Sequence, residues 1–144
     1  MSAPVLEIRN VEQRFVVDGG LFRIRRVLRA VNGVSLTVRK GEILGLVGES
    51  GCGKSTLARM MLGLLSPTSG DILFDGTAVN KLDRSAMARR VQPVFQDPYS
   101  SLNPRKTIGA IIGLPLDVHR LGSPAERRAR VEEMMERVGL AAAA

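Results

Sequence analysis

The chain has no tryptophan, one tyrosine (Tyr99), one cysteine (Cys52) and one histidine (His119). A single thiol permits no internal disulfide, which fits a reducing compartment. Four phenylalanines and one tyrosine are too few rings to stack bases, so a nucleic-acid partner is not expected despite the net charge of +7. That charge comes from 21 Lys and Arg against 14 Asp and Glu, and the arginines are scattered along the chain. No apolar run approaches the ~18 residues of a membrane span. Residues 60–65 make a run of six, far short of that length, so direct membrane insertion is not expected. Met1-Ser2-Ala3-Pro4 leads directly into a charged alternating stretch, unlike a secretory leader, and a cytoplasmic location follows. What is present is a hydrophobic fraction of 44% with 24% charged residues, enough for one folded domain in 144 residues.

Residues 5–9 alternate apolar and polar, as do residues 11–17, and both read as half-buried strands. Residues 21–29 are basic with scattered apolar positions and read as an inserted loop. Residues 34–38 alternate again, and Lys40-Gly41 turns the chain. Residues 43–47 (Ile-Leu-Gly-Leu-Val) are apolar on both faces, the pattern of a central buried strand. A helix is expected over 54–65, with Leu57, Met60, Met61, Leu64 and Leu65 on one side. Residues 71–79 read as a hairpin turning at Asp75-Gly76. A short helix near 84–89 and a strand over 91–95 follow, then a loop from 96 to 105 rich in Pro, Ser and Asn. Ser123-Pro124-Ala125-Glu126 is a capping box. Val131, Met134, Met135 and Val138 form an apolar stripe behind it, and Gly139 supplies the stop.

The chemistry lies at residues 48–55, Gly-Glu-Ser-Gly-Cys-Gly-Lys-Ser, which match G-x-x-x-x-G-K-S/T after an apolar strand and before a helix. Gly48, Gly51 and Gly53 let the loop curl so that N–H groups converge on phosphate oxygens. Lys54 offers a point charge to the β- and γ-phosphates, and Ser55 a hydroxyl to Mg²⁺. Glu49, Ser50, Cys52 and Thr56 complete the segment expected to wrap the triphosphate of Mg-ATP, with the helix dipole aimed at it. Alkylation of Cys52 is expected to block binding, and bound ATP to protect the thiol.

Residues 41–76 closely resemble the ATP-binding subunits of ABC transporters. Residues 94–105, VFQDPYSSLNPR, resemble the Q-loop of the oligopeptide, dipeptide and nickel importers within that family. The resemblance extends over residues 5–140. It implies an α/β fold, a P-loop NTPase of the ABC type: N-terminal antiparallel strands, a central strand leading through the phosphate loop to a helix, and the start of a helical subdomain. Residues 1–96 would form the nucleotide-binding core with its β subdomain, and 97–144 the Q-loop and start of the helical part. It further implies that Gln96 reaches the γ-phosphate and Mg²⁺, and that Phe15 stacks on adenine. The partners implied are transmembrane permease subunits and a second ATP-binding subunit, identical or not. The place implied is the cytoplasmic face of the plasma (inner) membrane.

A complete member of that family also carries a Leu-Ser-Gly-Gly-Gln segment, an apolar strand ending in Asp-Glu, and a switch histidine. None occurs in the 144 residues. Leu73-Phe74-Asp75 is followed by the hairpin glycine, and Leu114-Pro115-Leu116-Asp117 holds a proline that a central strand does not tolerate. His119 reads as a helix-end residue. Beyond Gln96 no credible catalytic group is present, so the expectation is the N-terminal portion of an ABC ATPase that binds ATP without turning it over. A non-functional remnant and a small P-loop kinase are the alternatives.

Overall fold

The structure, a computed structural model, describes residues 3–17, 26–97 and 102–140. The chain divides into two compact units, residues 1–92 and 93–144.

In the first unit a four-stranded antiparallel sheet has the order β2-β1-β3-β4. Strand β1 (Pro4–Val17) pairs with both β2 (Arg26–Arg39) and β3 (Ser69–Phe74). The two short strands expected over 5–9 and 11–17 are thus one strand. It is interrupted at Asn10, whose φ of 46° shifts the register against both neighbours. Asparagine tolerates that left-handed backbone better than most residues. Ser35 accepts a 2.8 Å hydrogen bond from the Asn10 N–H. Strand β2 begins at Arg26, inside the stretch expected to be a loop, because Val27, Leu28 and Val31 continue a strand that the flanking arginines obscure. Residues 18–25 lie outside the described residues.

Helix α1 (Lys54–Met61) lays Leu57 and Met60 on the sheet, where they meet Ile8, Val11, Val31 and Ile72 in one apolar cluster. Burying each such side chain stabilises by about 1.5–3 kcal/mol. The helix stops four residues before the expected Leu65. Gly63, at φ 68°, closes a Schellman motif in which Leu64 N–H donates to Arg59 O (2.9 Å) and Gly63 N–H to Met60 O (3.0 Å). The hairpin forms as expected between β3 and β4 (Thr77–Ala78), with Asp75 and Gly76 both at positive φ. A 3₁₀ turn (Val79–Lys81) leads to helix α2 (Arg84–Arg90), capped by Asp83 accepting from Ala86 N–H. Arg90 lies 5.0 Å from the centre of the Phe74 ring and pairs with Asp75.

Two expected strands, residues 43–47 and 91–95, belong to no ladder among the described residues. Ile43 is 97% exposed, Val47 94% and Val94 97%. An all-apolar strand forms only where neighbours pair its backbone and cover both faces. The described residues supply neither. Lys40-Gly41 does turn the chain, with Glu42 N–H donating to Arg39 O and the Glu42 carboxylate accepting from Arg39 N–H.

In the second unit α3 (Ile108–Val118) packs against α4 (Pro124–Arg137) through small residues. A Cβ at Gly113 would come within 3.3 Å of Val131 Cγ2. Of the expected stripe on α4, Met135 is buried and Val131 half-buried, whereas Met134 and Val138 are exposed. Gly109 and Gly113 face α4 at Val131 and Met135, a narrow ridge, so only part of the stripe is covered. The capping box forms as read: Ser123 Oγ accepts from Glu126 N–H at 3.3 Å, and Glu126 Oε2 accepts from Ser123 N–H at 2.7 Å. Pro115 lies inside α3 and His119 at its C-cap, so Leu114-Pro115-Leu116-Asp117 is helical. No described helix is long and apolar enough to cross a membrane.

Candidate functional site

Residues 48–53 join the exposed 43–47 segment to α1, and Gly53 is the helix N-cap at φ 98°. No side chain caps this end, so the first-turn N–H groups, which have no intrahelical acceptor, stay available to an anion. Gly51 adds a second left-handed position at φ 82°. The Lys54 ammonium folds back into the loop. It donates to Gly48 O at 2.6 Å and Glu49 O at 2.7 Å, and lies 3.4 Å from Cys52 Sγ. A single cation thereby gathers loop carbonyls that would otherwise repel a phosphate.

Close packing explains two of the glycines. A Cβ on Gly48 would stand 2.6 Å from Cys52 Sγ. One on Gly53 would stand 2.1 Å from the Ala30 carbonyl oxygen. That carbonyl comes from an irregularity in β2. Arg14 faces Arg29 and Gln13 faces Val31, leaving Ala30 as an extra residue, a β-bulge. The bulge sets the β1–β2 ribbon against the start of α1.

The result is an open cleft of about 360 Å³. Phe15, Leu28, Arg29 and Ala30 line it from the ribbon. Ser50, Gly51 and the start of α1 from Gly53 to Thr56 line it from the other side. Among the described residues the lining holds two cations (Arg29 and Lys54), three hydroxyls and no carboxylate, a donor set suited to a polyanion. Phe15, exposed, faces Leu28 across the strands and gives the cleft an apolar end. Gly48, Glu49 and Cys52 belong to the loop without lining the cleft, and the Cys52 thiol is exposed. Gln96 lies at an exposed bend of the second unit. Of the loop that follows it, residues 98–101 lie outside the described residues. Among the described residues no cluster of His, Cys, Asp or Glu could hold a metal ion. A magnesium ion here would rest on Ser55 and on oxygens of the nucleotide itself.

Leu28, Arg29 and Ala30 escape the sequence reading, which put residues 21–29 in a loop. The apolar residues Val27, Leu28, Ala30 and Val31 around Arg29 are the available signal. No pattern announces the bulge.

The family model described as ABC transporter matches residues 31–144. The oligopeptide transport ATP-binding protein AppF of Bacillus subtilis (strain 168) is 48% identical over 142 residues, covering 94% of this chain and 43% of the relative. A putative peptide import ATP-binding protein of Brucella abortus (strain 2308) is 55% identical over 137 residues, covering 92% and 40% respectively. The chain therefore spans less than half the length of these relatives. Among solved structures, the dimeric ATP-binding cassette MJ0796 in a post-hydrolysis state bound to ADP and Pi superposes with a TM-score of 0.70 at 28% identity. That match covers 91% of this chain and 56% of the other. The phosphate loop, the antiparallel sheet beside it and these likenesses agree, and the chain belongs to the ABC transporter family.

Proposed function

We propose that this chain is the nucleotide-holding portion of an ATP-binding subunit that energises peptide import, and that it takes Mg-ATP at residues 48–55. The observation that carries this reading is a single cleft uniting Phe15 with Lys54, Ser55 and Thr56. An aromatic ring stands at one end and a cation with hydroxyls at the other, the two chemistries a purine triphosphate presents. Adenine stacks on Phe15, Lys54 turns from the loop carbonyls to the phosphates, and Ser55 ligates Mg²⁺. Gln96 approaches the γ-phosphate and the metal when nucleotide is bound. In this reading residues 1–96 form the nucleotide core and residues 97–144 the Q-loop and the beginning of the helical subdomain.

The peptide-importer wording of residues 94–105 and the names of the two relatives support peptides as the cargo class. Transmembrane permease subunits and a second ATP-binding subunit at the cytoplasmic membrane face complete the assembly. Hydrolysis needs a group that orients water and an acid near Mg²⁺. Among the described residues the cleft lining offers no carboxylate, and in this reading the 144 residues hold nucleotide without turning it over.

The test is a thermal melt of the chain with and without Mg-ATP, beside Lys54→Ala. Ligand at one hundred times its Kd stabilises by about 2.7 kcal/mol. A raised midpoint in the unmodified chain and none in Lys54→Ala is expected. A cooperative melt that Mg-ATP leaves unmoved in the unmodified chain would overturn the reading.

A further inference from the structure

We propose that Arg29 is a second nucleotide-binding cation, donating to the α-phosphate from the base side of the cleft; the inference rests on the nucleotide reading above. Arg29 lines the cleft between Leu28 and Ala30, opposite Ser55 and Thr56. Its neighbours on β1 show what an arginine of this sheet does when it has a structural task. Arg9 is held by Glu7 at 2.6 Å, and Arg14 by Glu12 at 2.6 Å, each by a carboxylate two residues away on the same strand. Arg29 has Val27 and Val31 at the equivalent positions. Its side chain makes no ion pair or hydrogen bond among the described residues. Its cross-strand partner, Arg14, is already neutralised by Glu12 and adds no acid.

Among the described residues the cleft thus carries two cations and no carboxylate to balance them. Lys54 leads the helix and sits in the loop, where the outer phosphates belong. Arg29 enters from the ribbon that carries Phe15, one residue from the bulge that presses on Gly53. A nucleotide stretched between the ring and the loop passes its α-phosphate by that point. A guanidinium there donates two N–H groups to phosphate oxygens, a charge-assisted contact. ATP and ADP share that phosphate, so the contact serves both alike.

The experiment measures affinities for Mg-ATP and Mg-ADP by calorimetry in the unmodified chain, Arg29→Gln, Arg29→Lys and Lys54→Ala. Far-ultraviolet circular dichroism without nucleotide serves as the folding control, which an exposed side chain should leave unchanged. Arg29→Gln is expected to weaken ATP and ADP by the same factor, about fivefold at moderate salt. Arg29→Lys, which keeps the charge and loses the two-pronged geometry, should recover part of the loss. The difference between Arg29→Gln and the unmodified chain should shrink in 0.5 M salt, roughly as the screening length falls. Unchanged affinities in Arg29→Gln overturn the proposal, as does a loss confined to ATP, which would put the group at the γ-phosphate. Absence of ATP binding in the unmodified chain would instead overturn the nucleotide reading, and this proposal with it.

Discussion

Gly53 performs three tasks that no other residue type combines. It caps α1 at φ 98°, lets the loop turn into the helix, and leaves room for the Ala30 carbonyl. A methyl group there meets a backbone atom at 2.1 Å in a left-handed conformation that L-residues resist, so relief requires the bulge or the helix start to move. Gly53→Ala should therefore destabilise the chain by about 3 kcal/mol in urea titration and abolish the nucleotide-induced rise in melting midpoint. A midpoint within error of the unmodified chain would show that the ribbon does not bear on the loop. The glycine pattern of this loop was legible because it is a local matter of φ and spacing. The reason Gly53 in particular cannot change was not, since it depends on a residue 23 positions earlier in the chain.

Among the elements, ends were easier to read than lengths. Ser123 and Glu126 announced the start of α4, and Gly139 its end, where Leu140 N–H donates to Met135 O at 2.9 Å. Gly63 carries the same information for α1, but the apolar spacing of Leu64 and Leu65 masks it. The end of α3 was hidden because Arg120, not glycine, takes the left-handed position at φ 51°. The capping box gives α4 a pH dependence. The Ser123 N–H, first, and its hydroxyl lower the Glu126 pKa from the ordinary value of 4.5, with Arg130 adding a smaller attraction. A carboxyl depressed by folding lends its stability above the unfolded value and loses it as pH falls through the folded one. The urea midpoint of the unmodified chain should therefore drop between pH 5 and pH 3 by more than that of Glu126→Gln. Glutamine keeps the acceptor without titrating. Equal drops would mean that the carboxylate contributes nothing specific.

At the scale of the whole molecule, strand character depended on partners distant in sequence. Residues 43–47 have the composition of a central strand, yet Ile43 and Val47 stand almost fully exposed. Composition reports what a segment can bury, and pairing decides whether it does. The strands that pair, β1 to β4, are those with partners among the described residues. An exposed apolar segment with free N–H and C=O groups invites association. Sedimentation velocity should show a mass that rises with concentration, and Ile43→Asn should reduce that rise without lowering the melting midpoint. A single concentration-independent species in the unmodified chain would contradict this.

The meeting of Ala30 and Gly53 also governs which substitutions can rescue one another. Where two side chains touch, a loss on one can be offset by a gain on the other, and a double-mutant cycle reveals the exchange. Here one partner is a backbone carbonyl oxygen and the other a missing methyl group, so the contact involves no side chain that could be traded. Shortening Ala30 to glycine leaves the carbonyl where it was. A damaged Gly53 therefore has no nearby suppressor in side-chain space. Revertants of Gly53→Ala should restore glycine itself or remodel the register of β2.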